Sequence, residues 1–344
     1  MRRRTGWTRP TGWPRLVVAA GAVGGLALSA CGTSTPGTSS APSPSTSSTT
    51  APAVTTTSGS TGDAATVTSP GPINPAAVPL GDGYLSTTPK VGYVDSCQTF
   101  GGTGGSAVGG AQVDGPWINL KTKTWNSLTK LSVEGSVAWP AASYSVTVAG
   151  GRRIIKTNDL PTGHTTGVFP ISSSDPAYAY DHNPNSIEAQ SIDWSLPENP
   201  VAAAAPSCTP GGAIGVLDDG VLLFNALDGE GRDAGAHEVL DSCGEHPQMG
   251  DMLHHHAVPS CILSRATGTS TLVGFAIDGY GIYVERDAGG ALLTNTDLDA
   301  CHGRTSTVLW NGREQSVYHY DATLEYPYTV GCFHGTPIST GAMG

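Results

Sequence analysis

Between residues 113 and 200, apolar and polar positions alternate in short runs, at 130–138, 144–148, 152–156 and 167–171, with Pro-Ala, Gly-Gly and Asn-Asp turns between them. A period of two broken by turn residues predicts half-buried strands. No helical period of useful length accompanies it. Further on, residues 214–224 read as an apolar strand, an Asp219-Gly220 turn and a second apolar strand, and residues 273–283 repeat the pattern around Asp278-Gly279. Asp-Gly between apolar runs is the strongest short-range hairpin signal.

The two hairpins are offset by 59, and each is followed by a matching tail. Asp241-Ser-Cys243 answers Asp299-Ala-Cys301, and His254-x-His256 with Pro259-x-Cys261 answers His319-x-Asp321 with Pro327 and Cys332. The pattern therefore predicts an all-β fold: a single disulfide-bonded, β-rich domain over residues 83–340, with an internally duplicated hairpin-plus-loop unit at about 213–262 and 272–335. About 255 residues suffice for one such domain with a substantial core. Trp117, Trp125, Trp139 and Trp194 are expected as core or sheet-face aromatics, with sugar stacking as the sharper alternative.

The N-terminal end has a different character. Arg2, Arg3, Arg4, Arg9 and Arg15 precede an apolar, Gly-rich run to Ala30 that is short for a membrane span, which reads as an export signal over residues 1–30. Its end, Leu28-Ser29-Ala30-Cys31, resembles a bacterial lipoprotein processing box, with Cys31 as the lipidated first residue of the mature chain. Residues 31–82 are rich in Ser, Thr and Pro with few large apolar side chains, so they are expected to be a disordered tether. The expected location is the cell membrane, through the lipid anchor, facing outside the cytoplasm.

Export changes the reading of the cysteines. With Cys31 set aside, Cys97, Cys208, Cys243, Cys261, Cys301 and Cys332 form an even set, which in an oxidising compartment predicts three disulfides. The repeat register suggests Cys243 with Cys261 and Cys301 with Cys332, leaving Cys97 for Cys208. Charge excludes one class of partner. Without the five arginines of the signal, the formal charge falls from −11 to −16. Residues 213–344 hold 17 acids against five bases, which speaks against nucleic acid and for cations.

Eight of the ten histidines lie between His237 and His334. In a strand His254 and His256 point to one face and His255 to the other, so the pair forms a two-point chelate. His246 is the candidate third ligand, with His237 and Asp241 as additional candidates and Glu238 as a neighbouring partner; the cofactor would be a divalent transition metal, Zn or Cu. The bland alternative is hydrogen-bonded structural histidines. In the second unit the equivalents are Arg304, His319 and Asp321, where an arginine would repel a cation and Arg304 is placed to pair with Asp321. Asp228, Glu230, Asp233, Asp287, Asp297 and Asp299 are loop acids, more simply solvated than calcium ligands since they lack EF-hand spacing. No Gly-x-Ser-x-Gly elbow, His-Glu-x-x-His helix or phosphate loop is present.

The sequence resembles the YHYH-domain family of bacterial exported proteins. The likeness is carried by Phe224-Asn225-Ala226-Leu227-Asp228, His237-Glu238, Asp241-x-Cys243, Gly244-x-His246-Pro247, the run from Gly274 to Tyr283, Leu298-Asp299-x-Cys301-His302-Gly303, Tyr318-His319-Tyr320 and the run from Pro327 to Gly335. It extends over about residues 90–340 and brings no established reaction with it. Asp321 stands where the signature's last histidine is expected, Arg304 stands where a second histidine is expected after His302, and the first unit reads Leu253-His254-His255-His256. The function expected is a membrane-tethered metal-binding lipoprotein. The alternatives are a cell-surface interaction or scaffold module that engages an envelope ligand without metal, and a metal-dependent hydrolase of envelope material using Glu238 or Glu245 as base.

Overall fold

The structure, a computed structural model, describes residues 72–100 and 114–340. The expected signal peptide, Cys31 and most of the tether lie outside the described residues. The first strands are two residues each: β1 (Val78–Pro79), β2 (Leu85–Ser86), β3 (Val94–Asp95), β4 (Ile118–Asn119) and β5 (Thr124–Trp125). They form a β1-β5-β4 sheet and a β2-β3 pair. Val78 and Leu80, inside the stretch assigned by composition to the tether, are buried in one cluster with Trp117 and Trp125. The packed chain thus begins upstream of Gly83, because two apolar residues among Pro and Ala are too few to register as a pattern.

A three-stranded sheet follows, built from β6 (Tyr144–Ala149), β7 (Arg152–Thr157) and β8 (Ile192–Pro197). The flanking runs at 130–138 and 167–171 are not strands. Single bridges hold them, Val133 to Asp241 and Val137 to Thr166, and Gly135, at φ +123°, turns the chain between the two bridges. Next come β9 (Ala202–Ser207), β10 (Ala213–Leu217), β11 (Leu222–Phe224), the one-turn helix α1 (Ala234–His237), β12 (Glu245–Gln248), β13 (Met252–His255) and a second one-turn helix, α2 (Ser260–Leu263). The chain closes with β14 (Ser270–Ala276), β15 (Gly281–Glu285), β16 (Gly303–Trp310), β17 (Arg313–Asp321) and β18 (Phe333–Gly335), which pairs with β9.

Eight of these strands share one sheet in the order β12-β13-β11-β10-β14-β15-β17-β16. The antiparallel contact of β10 with β14 divides it into two like halves. In each half an inner hairpin meets an outer hairpin through a parallel pair, β11 with β13 and β15 with β17. Residue pairs correspond across the halves: Leu223 opposite His255 answers Ile282 opposite Tyr320, and His246 opposite His254 answers Arg304 opposite His319. The duplicated unit is therefore a structural repeat.

Two glycines let the halves meet. A Cβ on Gly215 would stand 2.8 Å from the Phe275 carbonyl oxygen, and one on Gly274 would stand 2.6 Å from that of Val216. The strands approach too closely there for any side chain. Around this seam Ile214, Val216, Leu217, Leu222, Leu223 and Ile282 are fully buried, in one core cluster with Ile155, Trp194 and Leu196 of the three-stranded sheet. Each such side chain contributes about 1.5–3 kcal/mol by leaving water. Disulfides join Cys97 to Cys208, Cys243 to Cys261 and Cys301 to Cys332, so each repeat's outer hairpin begins beside an internal bridge.

Candidate metal centre

His246 of β12 lies directly across the ladder from His254 of β13. Cross-strand neighbours face the same side of a sheet, and His256, two residues beyond His254, returns to that side. Glu238 follows α1, where its backbone N–H caps the helix through the Ala234 carbonyl, and its carboxylate reaches the same point. His246, Glu238, His254 and His256 are all buried, none more than 6 % exposed. The Phe224 ring stacks on His254 with centroids 4.1 Å apart and holds its plane.

His256 Nε2 stands 3.1 Å from His254 Nε2, 3.3 Å from His246 Nε2 and 2.9 Å from Glu238 Oε2. Glu238 Oε2 is also 3.1 Å from His246 Nε2. Ligand atoms at tetrahedral angles and about 2.0–2.1 Å from a zinc ion stand about 3.3 Å apart.

The proton arrangement follows from the outer contacts. His256 Nδ1 lies 2.5 Å from the Asn225 carbonyl oxygen, and a carbonyl only accepts, so Nδ1 carries the proton. Its Nε2, 2.9 Å from the Glu238 carboxylate, donates to it when the ring is protonated and offers a lone pair to an ion when the ring is neutral. Burial alone would raise the Glu238 carboxyl, yet the facing His246 and His256 rings hold it well below the usual carboxylate range. Burial, with His246 and His256 alongside, keeps His254 well below the usual histidine range. Burial also lowers His246, but Glu238 outweighs it and the net shift is upward. The set offers three nitrogens within 4.8 Å of one another, with the Glu238 carboxylate against two of them, shut away from water.

The other sequence candidates stand elsewhere. His237 places Nε2 3.0 Å from Asp82 and Nδ1 3.0 Å from Asp114, so it is not an additional ligand of this cluster. Asp241 accepts from the amides of Cys243, Glu245 and Gly167; the Asp-x-Cys motif is a turn cap, and Asp299 does the same for Cys301 and Gly303. Asp228 and Asp287 likewise accept amides of their own turns. Asp233 accepts from Tyr328 and the Gly81 amide. His302 contacts Thr323, and His334 stacks on Tyr318. Arg304 pairs with Glu285 at 3.0 Å rather than with Asp321 as expected; Glu285 ends β15, on the far side of β17.

On the opposite face His255 is held between Asp219 at 3.0 Å and Glu245 at 3.2 Å, and Glu245 continues to His164 at 3.0 Å. His164 was invisible to sequence reasoning, being isolated by more than 70 residues from the histidine-rich segment. Of the alternates His237, Glu238 and Asp241, Glu238 is the one whose carboxylate faces His246 and His256. Trp117, Trp125 and Trp194 are core residues.

Comparison with known proteins adds one finding. Neither the curated proteins nor the solved structures contain a match to this chain. Residues 193–293 match the family described as YHYH protein, a narrower stretch than the 90–340 expected. It contains Glu238, His246, His254 and His256 and stops short of Tyr318-His319-Tyr320. That stretch, which holds the whole buried cluster, is where the chain is similar to the YHYH family.

Proposed function

We propose that this YHYH domain is a metal-binding module, that His246, His254, His256 and Glu238 hold one divalent transition metal, zinc in preference to copper, and that the chain carries it outside the cytoplasm on a lipid anchor at Cys31. The observation that supports the metal is the convergence of three buried histidine nitrogens, all within 4.8 Å of one another, with Glu238 Oε2 2.9 Å from His256 Nε2 and 3.1 Å from His246 Nε2. The anchor is supported by the basic, apolar, small-residue order of residues 2–31.

The same geometry argues for a closed site. Catalytic zinc keeps a position for water beside three protein ligands, whereas here the Glu238 carboxylate stands against two of the three histidines and all four side chains are buried. Glu245, the other candidate base, is engaged by His164 and His255. Binding, with structural stabilisation, is therefore favoured over hydrolysis.

The test is metal analysis of protein purified without a polyhistidine tag, beside a His254→Ala/His256→Ala variant. One zinc per chain in the parent that the variant lacks supports the reading, as does a chelator-induced loss of thermal stability seen only in the parent; zinc at 100 times its Kd adds about 2.7 kcal/mol. Equally negligible zinc in both proteins, with a melting temperature indifferent to chelator, would instead favour a metal-free interaction module.

A further inference from the structure

The second repeat retains the scaffold of the first but has changed its side chains. At the places of His246, His254 and His256 it carries Arg304, His319 and Asp321. The missing donor arrives from a different element. Glu285, the last residue of β15, brings its carboxylate to the same point, while the 59-residue offset puts Ala226 at its place in the first repeat. One His319 nitrogen and one carboxylate oxygen each from Glu285 and Asp321 come within 4.8 Å of one another, and all three residues are buried.

His319 Nε2 lies 3.2 Å from Glu285 Oε2 and 3.7 Å from Asp321 Oδ2. Its Nδ1 is 3.0 Å from the Val317 carbonyl oxygen, so Nδ1 carries a proton and, when the ring is neutral, Nε2 is the nitrogen that presents a lone pair inward. Asp321 is fully buried, and neither of its carboxylate oxygens has a hydrogen-bond partner. Buried polar atoms almost always find partners. Here three side chains that can each present a lone pair face one another, and the two Asp321 oxygens are left without a protein partner. Arg304 sits to one side, its Nε 3.0 Å from Glu285 Oε2, and Ser306 donates its hydroxyl to the same carboxylate.

We infer that Glu285, His319 and Asp321 form a second cation site, distinct from the His-rich one and selective for a harder divalent first-row metal of the Mn²⁺ type. Two carboxylates and one imidazole make an oxygen-dominated donor set, which favours Mn²⁺ relative to the three-imidazole site. Calcium asks for six to eight oxygens and does not use imidazole nitrogen. Arg304, whose side chain is 37 % exposed, lies on β16 at the sheet edge. Its displacement from Glu285 opens the way in and frees that carboxylate for the ion.

The experiment titrates the full chain with Mn²⁺, following loss of the free-ion electron paramagnetic resonance signal. It uses the parent and a His254→Ala/His256→Ala background in which the first site is removed. The background is expected to bind one Mn²⁺ per chain. Adding Asp321→Asn should weaken binding by at least about tenfold, and adding Arg304→Ala, which removes the competing cation and keeps all three ligands, should tighten it. Absence of Mn²⁺ binding at millimolar metal by the parent overturns the inference without depending on how any variant folds. Binding that Asp321→Asn and Glu285→Gln leave unchanged also overturns it. Failure of the first reading is seen separately: a parent that takes up no zinc at the His-rich site but binds one Mn²⁺ lost with Asp321→Asn leaves this second site standing.

Discussion

The Tyr-His-Tyr run of the second repeat is a structural anchor, and Tyr320→Phe tests that directly. The Tyr320 hydroxyl is fully buried; it donates to Asp278 Oδ2 at 2.6 Å and accepts from the His334 backbone N–H at 2.8 Å. Through that oxygen Tyr320 ties β17 to the Asp-Gly turn and to β18. Phenylalanine keeps the ring and its packing, so no large cavity term enters. Two losses remain. The hydrogen bond to a carboxylate contributes about 1.5–3 kcal/mol, and the stranded His334 N–H costs about 1–3 kcal/mol more. Asp278 keeps the Gly335 amide at 2.9 Å, which limits the damage, and the expected destabilisation is about 3–4 kcal/mol. Guanidinium denaturation with the disulfides intact should show a lower midpoint at unchanged slope. Tyr318→Phe is the internal control: its half-buried hydroxyl donates at 3.1 Å to Asp299, which retains two amide donors, so the loss should stay within about 1 kcal/mol. Equal losses for the two tyrosines, or less than about 1 kcal/mol for Tyr320→Phe, would refute the reasoning.

Two further outcomes are expected. His255→Leu leaves the Asp219 and Glu245 carboxylates buried without the ring that joins them, and should cost about 3–5 kcal/mol, read from the same denaturation curves; a loss below about 1 kcal/mol would show the pair to be neutralised by other means. Asp233 governs a pH dependence. Burial raises its carboxyl from 3.8 to about 6, against the hydrogen bonds from Tyr328 and the Gly81 amide. Because the folded value lies above the unfolded one, the folded state holds the proton longer. Stability is full below pH 4 and falls as pH rises to about 6, by about 3 kcal/mol. Stability profiles of the parent and Asp233→Asn should therefore diverge across that window, and parallel profiles would count against the assignment.

Much of the architecture was legible in the chain because it depends on short-range signals. The two Asp-Gly turns marked both inner hairpins, and the 59-residue offset exposed the repeat. The Asp-x-Cys motif was read for its cysteine, but its aspartate turned out to be a turn cap. The runs at 130–138 and 167–171 misled for the converse reason: alternation records which face is apolar, not whether a partner strand is present to complete a ladder. Val78 and Leu80 were missed because two buried residues make no period.

The sequence by itself determined a duplicated, disulfide-bonded β domain and the shared face of His254 and His256, which alternation along one strand fixes; that His246 joins them across the ladder is a finding of the fold. Only the tertiary structure decided which carboxylate stands at each cluster. Glu238 reaches the cluster from the end of α1, and Glu285 reaches the second cluster from the end of β15, two approaches that depend on where chain segments meet in space. His164 joins Glu245 across 81 residues for the same reason. Local patterns encode which way a side chain faces along its own strand; the assembly of donors from separate elements depends on packing, and packing is a property of the whole fold.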